Sequence, residues 1–459
     1  MGSDGRLKRT ARHVYEDRGF WALIVTQFQG AFNDNCYRML IVLFLPLLLY
    51  PEFPTTEIAF LLFNIGYLLF PGLLGALSDR YSKQAITVVT KYLELGIMAA
   101  ALVAFWFANP WFMLILLFLM GVQSAFFSPS KYGILPEILP PGRLPWGNGY
   151  MQMGTFAAII LGQALAGLMY DHFQHNISIA GLFLLGFTLI GLVSAHFVTR
   201  PAPAEPTRPI PINPWKGLFH YLGQFYADRW LFLTLMGVTY FWFVGALVMQ
   251  NIIEYGQLTL RTSLSLGFMR LETGALIGLL SATLSLGIGV GSVAAGYLSR
   301  GRIEPGLAPL GAVGLVIFSV LLALTRFNIV IFVIVHGLAG PQWAFPVVYA
   351  TQLVLMLGLG ASAGLFVVPL SAMLQHRCPK NAKGGMIASL NFVTFSGMTV
   401  AALCFLALHT FLGVSPYGVF LIAGIMTLFV SLVFWYTAPV FMLRFLAWSR
   451  TRLSPRRAR

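Results

Sequence analysis

The sequence predicts an all-α integral membrane protein, with twelve transmembrane helices arranged as two halves of six. Composition is the first reason: of 459 residues, 58% are hydrophobic and only 10% are charged, and the mean hydropathy is +0.79. Soluble domains carry about a quarter of their residues as charges. The second reason is an apolar window that recurs along the chain, and the third is a proline-rich break near its middle. A soluble protein is therefore excluded.

Twelve apolar windows are long enough to cross a bilayer. A helix of about 20 residues spans the ~30 Å hydrocarbon core. The predicted spans are residues 20–49, 58–77, 85–107, 111–127, 148–170, 177–198, 231–253, 273–298, 306–325, 347–373, 385–408 and 417–437.

The positive charges predict the orientation of these spans. Most of the 29 lysine and arginine residues fall at the two termini and in alternate loops. The opposite side receives only Arg261, Arg270 and Arg326. Such a bias places both termini in the cytoplasm. The net charge of +14 therefore reflects topology and does not indicate a nucleic-acid site. The polar first 19 residues lack the apolar core of a signal peptide, so we expect the first helix to be retained.

A linker separates the two halves. Residues 199–215 are proline-rich and incompatible with helix. A surplus apolar segment, residues 327–346, fits no thirteenth span without reversing the charge bias, so we expect an interfacial or re-entrant insertion broken at Gly340–Pro341. The predicted divisions are a cytoplasmic N-terminal segment, a first half, a cytoplasmic linker, a second half that contains the insertion, and a basic cytoplasmic tail, at 1–19, 20–198, 199–230, 231–437 and 438–459.

Short matches relate the halves to each other. G-A-L-S at 75–78 recurs as G-Y-L-S at 296–299, and F-F-S-P at 126–129 recurs as F-V-V-P at 366–369. Two six-span halves related by an internal repeat resemble the major facilitator transporters, which rock around a site at the bilayer midplane. The resemblance implies the major facilitator fold.

Residues 72–84, G-L-L-G-A-L-S-D-R-Y-S-K-Q, resemble the loop signature of that superfamily, G-x-L-x-D-R-x-G-R-R. The resemblance implies a cytoplasmic gate. Gly75 would permit close backbone approach, while Asp79, Arg80 and Lys83 would pair with or cap neighbouring helix ends. The second-half copy, G-Y-L-S-R-G-R, lacks the aspartate, so we expect an asymmetric lock. The alternative is an ordinary polar loop with a positive-inside bias.

Three further stretches look like the lysophospholipid transporters within the superfamily. They are A-F-N-D-N at 31–35, S-P-S-K-Y-G-I-L-P-E at 128–137 with N-G at 148–149, and G-L-F-V-V-P-L-S-A-M-L-Q-H-R at 364–377 with Asn391 beyond it. The resemblance implies a protein that flips lysophospholipid, lysophosphatidylethanolamine first among them, across the bacterial inner membrane towards a reacylating enzyme. Membrane lipids are its surroundings and its source of substrate.

Two features qualify this resemblance. Where relatives can carry an arginine in span 7, this chain has Gln250, which we predict contacts the substrate. No H-x-x-x-x-D motif occurs, so acyl transfer would belong to a partner, either an acyltransferase or an acyl-ACP synthetase.

Span 1 carries charges that need an explanation. Asp34 lies roughly 20 Å along it, and Arg38 about 6 Å further, at 1.5 Å per residue. Gln27, Asp34 and Arg38 fall on one stripe of the helix, with Gly30 and Ala31 beside them. A charge at this depth costs at least ~2.5 kcal/mol, so both should face the bundle interior. We predict that Asp34 binds the substrate amine or a coupling cation and that Arg38 meets a phosphate. The alternative is a structural ion pair between the two.

Four other polar residues complete the prediction. Asn33, beside Asp34, is assigned to the substrate site. Lys91 and Glu94 form a same-face pair in span 3; Glu94 is a second candidate for the coupling ion, whereas Lys91 could instead snorkel to the cytoplasmic surface. Lys131 is expected in a cytoplasmic loop, where it would either receive an anionic headgroup or only serve topology. The cysteines and histidines show no ligand spacing, so we expect no metal, no cofactor and no catalytic residue.

Two other functions remain open at this point. One is a proton-coupled exporter of small amphipathic drugs or metabolites, using Asp34 or Glu94. The other is a non-transporting scaffold for a lipid-remodelling acyltransferase. A carboxylate serves sodium and protons alike, so the sequence leaves the coupling cation undecided.

Overall fold

The computed structural model describes residues 3–50, 55–173, 176–259, 264–266, 269–271, 273–327 and 341–453. Over these residues the chain forms sixteen α-helices, together with short 3-10 and π segments. The helices are α1 Ser3–Leu48, α2 Thr55–Leu69, α3 Pro71–Arg80, α4 Lys83–Trp106, α5 Pro110–Gly133, α6 Leu135–Ile138, α7 Leu144–Phe173, α8 Ser178–His196, α9 Leu218–Ala227, α10 Arg229–Thr259, α11 Thr273–Leu298, α12 Leu307–Leu324, α13 Pro341–Arg377, α14 Lys383–Leu406, α15 Pro416–Thr437 and α16 Pro439–Leu453.

The twelve predicted spans are confirmed. Eleven helices of the described chain are long and apolar enough to cross a membrane. The twelfth span is a bent pair, in which Ile58–Leu69 and Pro71–Arg80 meet at 57°. Pro71 causes the break, because proline lacks the amide that would continue α2 but is well suited to the first position of a new helix. The chain is a multi-pass membrane protein.

Sequence signals also explain where other helices begin. Pro110 opens α5, and the side chain of Asn109 accepts a hydrogen bond from the Phe112 amide at 3.0 Å. Pro416 opens α15 in the same way, with Ser415 as the cap. Side-chain oxygens at this position satisfy amides that have no partner within the helix.

Two stretches between spans contain more than the sequence predicted. The linker includes a ten-residue helix, α9. After α10, strands β1 Leu264–Leu266 and β2 Met269–Leu271 pair antiparallel, with Leu264 opposite Leu271, a small addition to an otherwise all-helical chain. Of the predicted insertion at 327–346, residues 328–340 lie outside the described residues, and α13 begins at Pro341.

The chain divides into two compact units. The first comprises Met1–Gly147, Gly154–Phe232 and Leu374–Phe395; the second comprises Asn148–Met153, Leu233–Met373 and Ser396–Arg459.

In the first unit, α4 packs against both α5 and α8, while α1 packs against α5 and α8 and α2 packs against α5. Its core includes Tyr37, whose buried hydroxyl donates to the carbonyl of Met113 at 3.0 Å. In the second unit, α12 packs along α15, and α16 contacts both. Most of the charged residues predicted for the substrate site lie where α1, α4 and α5 meet, in the first unit.

Candidate functional site

A polar cavity lies inside the first unit, between α1, α2, α4 and α5. Together with the open solvent at its mouth, it comprises about 270 Å³ of space not occupied by atoms. Four charged side chains face it, two acidic and two basic. The lining residues are Gln27, Gly30, Ala31, Asp34, Tyr67, Lys91, Glu94, Gln123, Ser124, Phe127 and Lys131.

Asp34 lines this cavity, and only one of its two carboxylate oxygens accepts a hydrogen bond from the described residues. Its Oδ2 accepts a hydrogen bond from the Ser124 hydroxyl at 2.6 Å. Its Oδ1 is buried and has no hydrogen-bond partner among the described residues. A buried carboxylate oxygen without a donor is costly unless a ligand or cation supplies one. Gln27, two turns earlier on the same face of α1, lines the same cavity and donates to the Thr155 hydroxyl at 2.9 Å.

Lys91 and Glu94 form a buried ion pair on α4. Lys91 Nζ donates to Glu94 Oε2 at 2.6 Å and to Gln29 Oε1 at 2.8 Å. Lys91 is 0% exposed, so the alternative that it snorkels to the surface is wrong. Glu94 Oε1 accepts from Gln29 at 2.9 Å and from Asn33 at 3.2 Å. Both Glu94 oxygens are therefore occupied, in contrast to those of Asp34.

Asn33 lies behind the cavity and does not line it. Besides Glu94, its amide donates to the Thr188 hydroxyl at 2.8 Å and to the Leu184 carbonyl at 3.3 Å, which ties α1 to α8. The position of Asn33 suits a support for Glu94 better than a direct ligand contact.

Gly30 makes room for the buried ammonium. A Cβ at this position would lie 2.6 Å from Lys91 Nζ. Although a lysine end is usually mobile, this one is held by Gln29 and Glu94. Gly30 is thus required by the approach of Lys91 from α4.

Lys131 lines the cavity from the last turn of α5. The expectation that it lies in a cytoplasmic loop is wrong, because α5 continues through Pro129 to Gly133. Proline is tolerated inside a membrane helix when neighbours compensate for the freed carbonyl. Lys131 Nζ and Lys91 Nζ each lie 5.5 Å from the centre of the Phe127 ring. No ion pair within 4 Å reaches Lys131 in the described part of the chain, so its charge is available to an anion.

Arg38 lies outside the cavity lining. Its Nη2 donates to Asn35 Oδ1 at 2.6 Å, and its guanidinium lies 5.6 Å from the centre of the Phe63 ring. Among the described residues, no ion pair within 4 Å joins Arg38 to Asp34. The alternative of a structural pair between them is wrong, because each is engaged by a different neighbour.

Gln250 belongs to the second unit. Its amide donates to the carbonyl of Ala246, one turn back on α10, at 3.2 Å. Nothing in that contact assigns it to a site.

A second group of polar contacts in the first unit surrounds Asp79, whose carboxylate caps the start of α14. Asp79 is 0% exposed. It accepts from the amide of Gly384 at 2.6 Å and from that of Gly385 at 3.1 Å, the first-turn amides of α14. A carboxylate at a helix N-terminus is favoured by both the free amides and the helix dipole. Gly75 permits this approach, since a Cβ there would lie 2.5 Å from the Cα of Gly385.

The two basic residues of the gate signature have separate partners. Lys83 is 0% exposed and forms an ion pair with Glu137 of α6 at 2.6 Å. Arg80 donates to the carbonyl of Arg208 in the linker at 3.0 Å. Nearby, Asn391 donates to the Ser128 hydroxyl at 2.9 Å, which brings together two of the stretches used for the family resemblance.

Sequence reasoning missed three polar residues of the cavity. Ser124 holds Asp34, Gln123 donates to the Thr90 carbonyl at 3.0 Å, and Tyr67 closes one wall. The adjacent polar pair Gln123–Ser124 inside an apolar span was the signal that could have found the first two. The ring of Tyr67 stacks on Phe395 with centroids 3.7 Å apart, a contact that no local pattern encodes.

A sequence profile of the Major Facilitator Superfamily matches residues 23–346. The match covers more than half of the chain, and the chain belongs to this superfamily. Both the family and the fold are those of transporters.

Within the superfamily, the chain is similar to proteins named lysophospholipid transporter LplT. The protein from Klebsiella pneumoniae strain 342 is 29% identical over 413 residues, which are 88% of this chain and 91% of the relative. The protein from Salmonella gallinarum is 28% identical over 370 residues, covering 80% and 82%.

Solved structures agree on the fold. The fucose:proton symporter FucP of E. coli superposes with a TM-score of 0.68 at 13% identity, over 91% of this chain and 98% of that one. A bacterial homologue of the iron transporter ferroportin, in an outward-facing state, gives 0.61 at 16% identity over 94% and 99%. At these identities the likeness shows the fold alone.

Proposed function

We propose that this chain flips a lysophospholipid, lysophosphatidylethanolamine in particular, across the inner membrane of a bacterium by alternating access. The observation that carries this proposal is the cavity in which, among the described residues, one oxygen of Asp34 has no hydrogen-bond partner and the ammonium of Lys131 has no ion-pair partner. A phosphoethanolamine headgroup carries one cation and one anion. A site that offers one charge of each sign complements it. The similarity to proteins named lysophospholipid transporters supports the same substrate class.

The cavity residues would divide the headgroup between them. The Asp34 carboxylate would accept from the substrate ammonium, and Lys131 would donate to the phosphate, both through charge-assisted hydrogen bonds. Gln27 and Tyr67 add polar groups to the walls. Lys91 is neutralised by Glu94 and held in place, so this pair leaves the net charge of the site unchanged and the phosphate would be bound by Lys131.

The other predicted contacts take indirect roles in this proposal. Asn33 acts through Glu94, to which it donates. Arg38, one turn further along α1, would meet the phosphate on the route to the cavity. Gln250 remains a candidate substrate contact.

A coupling cation, either sodium or a proton, would bind Asp34. Glu94 is a weaker candidate, because both of its oxygens already accept hydrogen bonds. Flux into proteoliposomes with an imposed sodium gradient, compared with an imposed proton gradient, identifies the ion. Stimulation by one gradient that persists in Asp34→Asn would exclude Asp34 as the coupling site.

The cellular setting follows from the charge bias and the substrate. Both termini would lie in the cytoplasm, and the gate formed by Gly75, Asp79, Arg80 and Lys83 would close the cytoplasmic side. The lysolipid delivered there would be reacylated by a partner, an acyltransferase or an acyl-ACP synthetase.

Reconstitution with a labelled lysophosphatidylethanolamine tests the proposal. We expect saturable uptake that falls at least about tenfold in Asp34→Ala and in Lys131→Ala, the order expected for one hydrogen bond to a charged group. The matched control is Asp171→Ala, which removes an exposed carboxylate of α7. Proton-driven efflux of an amphipathic drug without lysolipid movement would contradict the proposal and favour an exporter. Acyltransferase binding without any flux would favour a scaffold.

A further inference from the structure

Part of the linker between the two halves is hydrogen-bonded to α3. The amide of Glu205 donates to the carbonyl of Asp79 at 2.8 Å. The carbonyl of Pro214 accepts from the amides of Gly72 and Leu73 at 2.7 and 3.2 Å. These bonds join the linker to both ends of α3, and we call residues 205–216 the strap. A proline-rich sequence alone predicts only a stiff spacer.

Arg208 is the most connected residue of the strap. Its Nη1 donates to Asp79 Oδ2 at 2.6 Å and to the carbonyl of Asn381 at 3.1 Å. Glu205 lies 3.4 Å from the same nitrogen. Only 19% of the Arg208 side chain is exposed. A guanidinium presents several donors in a fixed geometry, so one arginine can hold a carboxylate and a carbonyl at once.

Asp79 therefore binds the strap and α14 together. The amides of Gly384 and Gly385 and the guanidinium of Arg208 converge on its two oxygens. Tyr221 of α9 completes the arrangement: its ring lies 5.5 Å from the Arg208 guanidinium and covers Gly385. Burial raises the pKa of Tyr221 to about 12, so the phenol stays neutral beside Arg208.

We propose that the strap is a working part of the cytoplasmic gate, in which Arg208 is a positioning residue that holds Asp79 against the start of α14. To open this gate, Arg208 must release Asp79, and the first turn of α14 must separate from the Asp79 carboxylate that caps it. The proposal rests on transport by alternating access, proposed above. It also fits the asymmetry of the repeat, in which the second-half copy of the signature lacks the aspartate. The guanidinium that pairs with Asp79 comes from the linker, and the linker has no counterpart in the second half.

Cys378 is a native reporter of this gate. It lies between α13 and α14, is 3% exposed, and its thiol has a pKa raised to about 12 by burial. Because the thiolate is the reacting form, maleimide should label it slowly in the closed gate. The other two cysteines, Cys36 and Cys404, are replaced by alanine so that only Cys378 reports.

We expect Arg208→Ala to raise the labelling rate at pH 7 about tenfold, the order expected for losing one charge-assisted hydrogen bond. The pH profile of labelling should move down towards the ordinary thiol range. Arg208→Lys should keep part of the protection, since it retains the charge but not the geometry. Arg200→Ala, an exposed arginine of the same linker, is the matched control and should leave the rate unchanged.

Equal labelling of Arg208→Ala and Arg200→Ala would overturn the proposal. Combining Arg208→Ala with Asp79→Asn should add little to Asp79→Asn alone, because both act on one contact; fully additive increases would also overturn it. Arg208→Lys guards against a folding defect, because a partial effect in a monodisperse protein cannot come from unfolding. Labelling needs no substrate, so a wild-type protein that moves no lysolipid would refute the proposed function and leave the result on the strap standing.

Discussion

Two buried aspartates of the first unit have opposite surroundings. Asp79 accepts from two backbone amides and one guanidinium, and it is fully covered. Asp34 accepts from one hydroxyl through Oδ2, and its Oδ1 has no hydrogen-bond partner among the described residues. Asp34 lies inside a predicted membrane span and Asp79 lies two residues beyond the end of one, and both carry the same chemical group.

The difference separates a structural role from a binding role. A carboxylate whose oxygens are occupied stabilises the groups around it, and removing it leaves donors without acceptors. A carboxylate with an open oxygen facing a cavity contributes little to folding and much to a ligand that supplies the missing donor. Glu94, in the wall of the same cavity as Asp34, belongs with Asp79 by this criterion. Four substitutions test the distinction.

Glu94→Ala should have the largest effect. It leaves the Lys91 ammonium buried beside Gln29 with no anion, and losing one member of a buried pair costs about 3 to 5 kcal/mol. Reversible unfolding in lipid bicelles measures the change in the free energy of unfolding. The double variant Lys91→Met with Glu94→Leu is the control, and it should recover most of the loss because no unpaired charge remains. A double variant as unstable as Glu94→Ala would show that packing, not charge, is responsible.

Asp79→Asn should cause the second-largest loss in the free energy of unfolding. The amide keeps one acceptor but removes the charge that Arg208 and the first turn of α14 share, so we expect about 2 to 3 kcal/mol of destabilisation, the range for hydrogen bonds to charged groups. The same unfolding assay measures it. Asp228→Asn is a suitable comparison, since that carboxylate pairs with Arg377 at 3.3 Å in a half-exposed position, where we expect under about 1 kcal/mol. Equal losses at the two positions would remove the basis for calling Asp79 a lock.

Gly30→Ala should cost less, about 1 to 2 kcal/mol, because it overpacks the space that Lys91 Nζ occupies. Gly96→Ala on α4 is the matched control: a Cβ there meets no atom within 4 Å, so the substitution should be neutral or stabilising by up to about 1 kcal/mol, as expected for glycine to alanine in a helix. If Gly30→Ala behaves like Gly96→Ala, the ammonium moves aside freely, and the Lys91–Glu94 pair is less rigid than its hydrogen bonds indicate.

Periodicity made part of this site predictable. The polar stripe of span 1 placed Gln27 and Asp34 on one face, and both line the cavity. The count of spans followed from apolar length, whereas the bend at Pro71 in the second span was not predicted, although proline is a local signal for it. These features depend on local sequence, which the 3.6-residue repeat and proline chemistry control.

Tertiary contacts decided the rest. Lys91 is close enough to its helix end to snorkel, but Gln29 and Glu94 hold it inside. The fourth span was predicted to end at residue 127, whereas α5 continues through Pro129 and carries Lys131 into the cavity. The strap gave no signal beyond its prolines, because its bonds to α3 join backbone groups far apart in the sequence. No single-sequence pattern records which partner a long side chain or a free carbonyl will find.

Asp34→Asn should change stability least. The asparagine keeps an oxygen that can accept from Ser124. No cation loses an ion-pair partner, because Lys91 is paired with Glu94 and no ion pair within 4 Å reaches Lys131 in the described part of the chain. We therefore expect the free energy of unfolding to stay within about 0.5 kcal/mol of the wild type, while lysolipid uptake falls. Ser124→Ala is the control that removes the hydrogen bond and keeps the charge, and it should reduce uptake less than Asp34→Asn. A loss of stability comparable to that of Asp79→Asn would make Asp34 a structural residue, and the cavity would then have to bind its ligand through Lys131 alone.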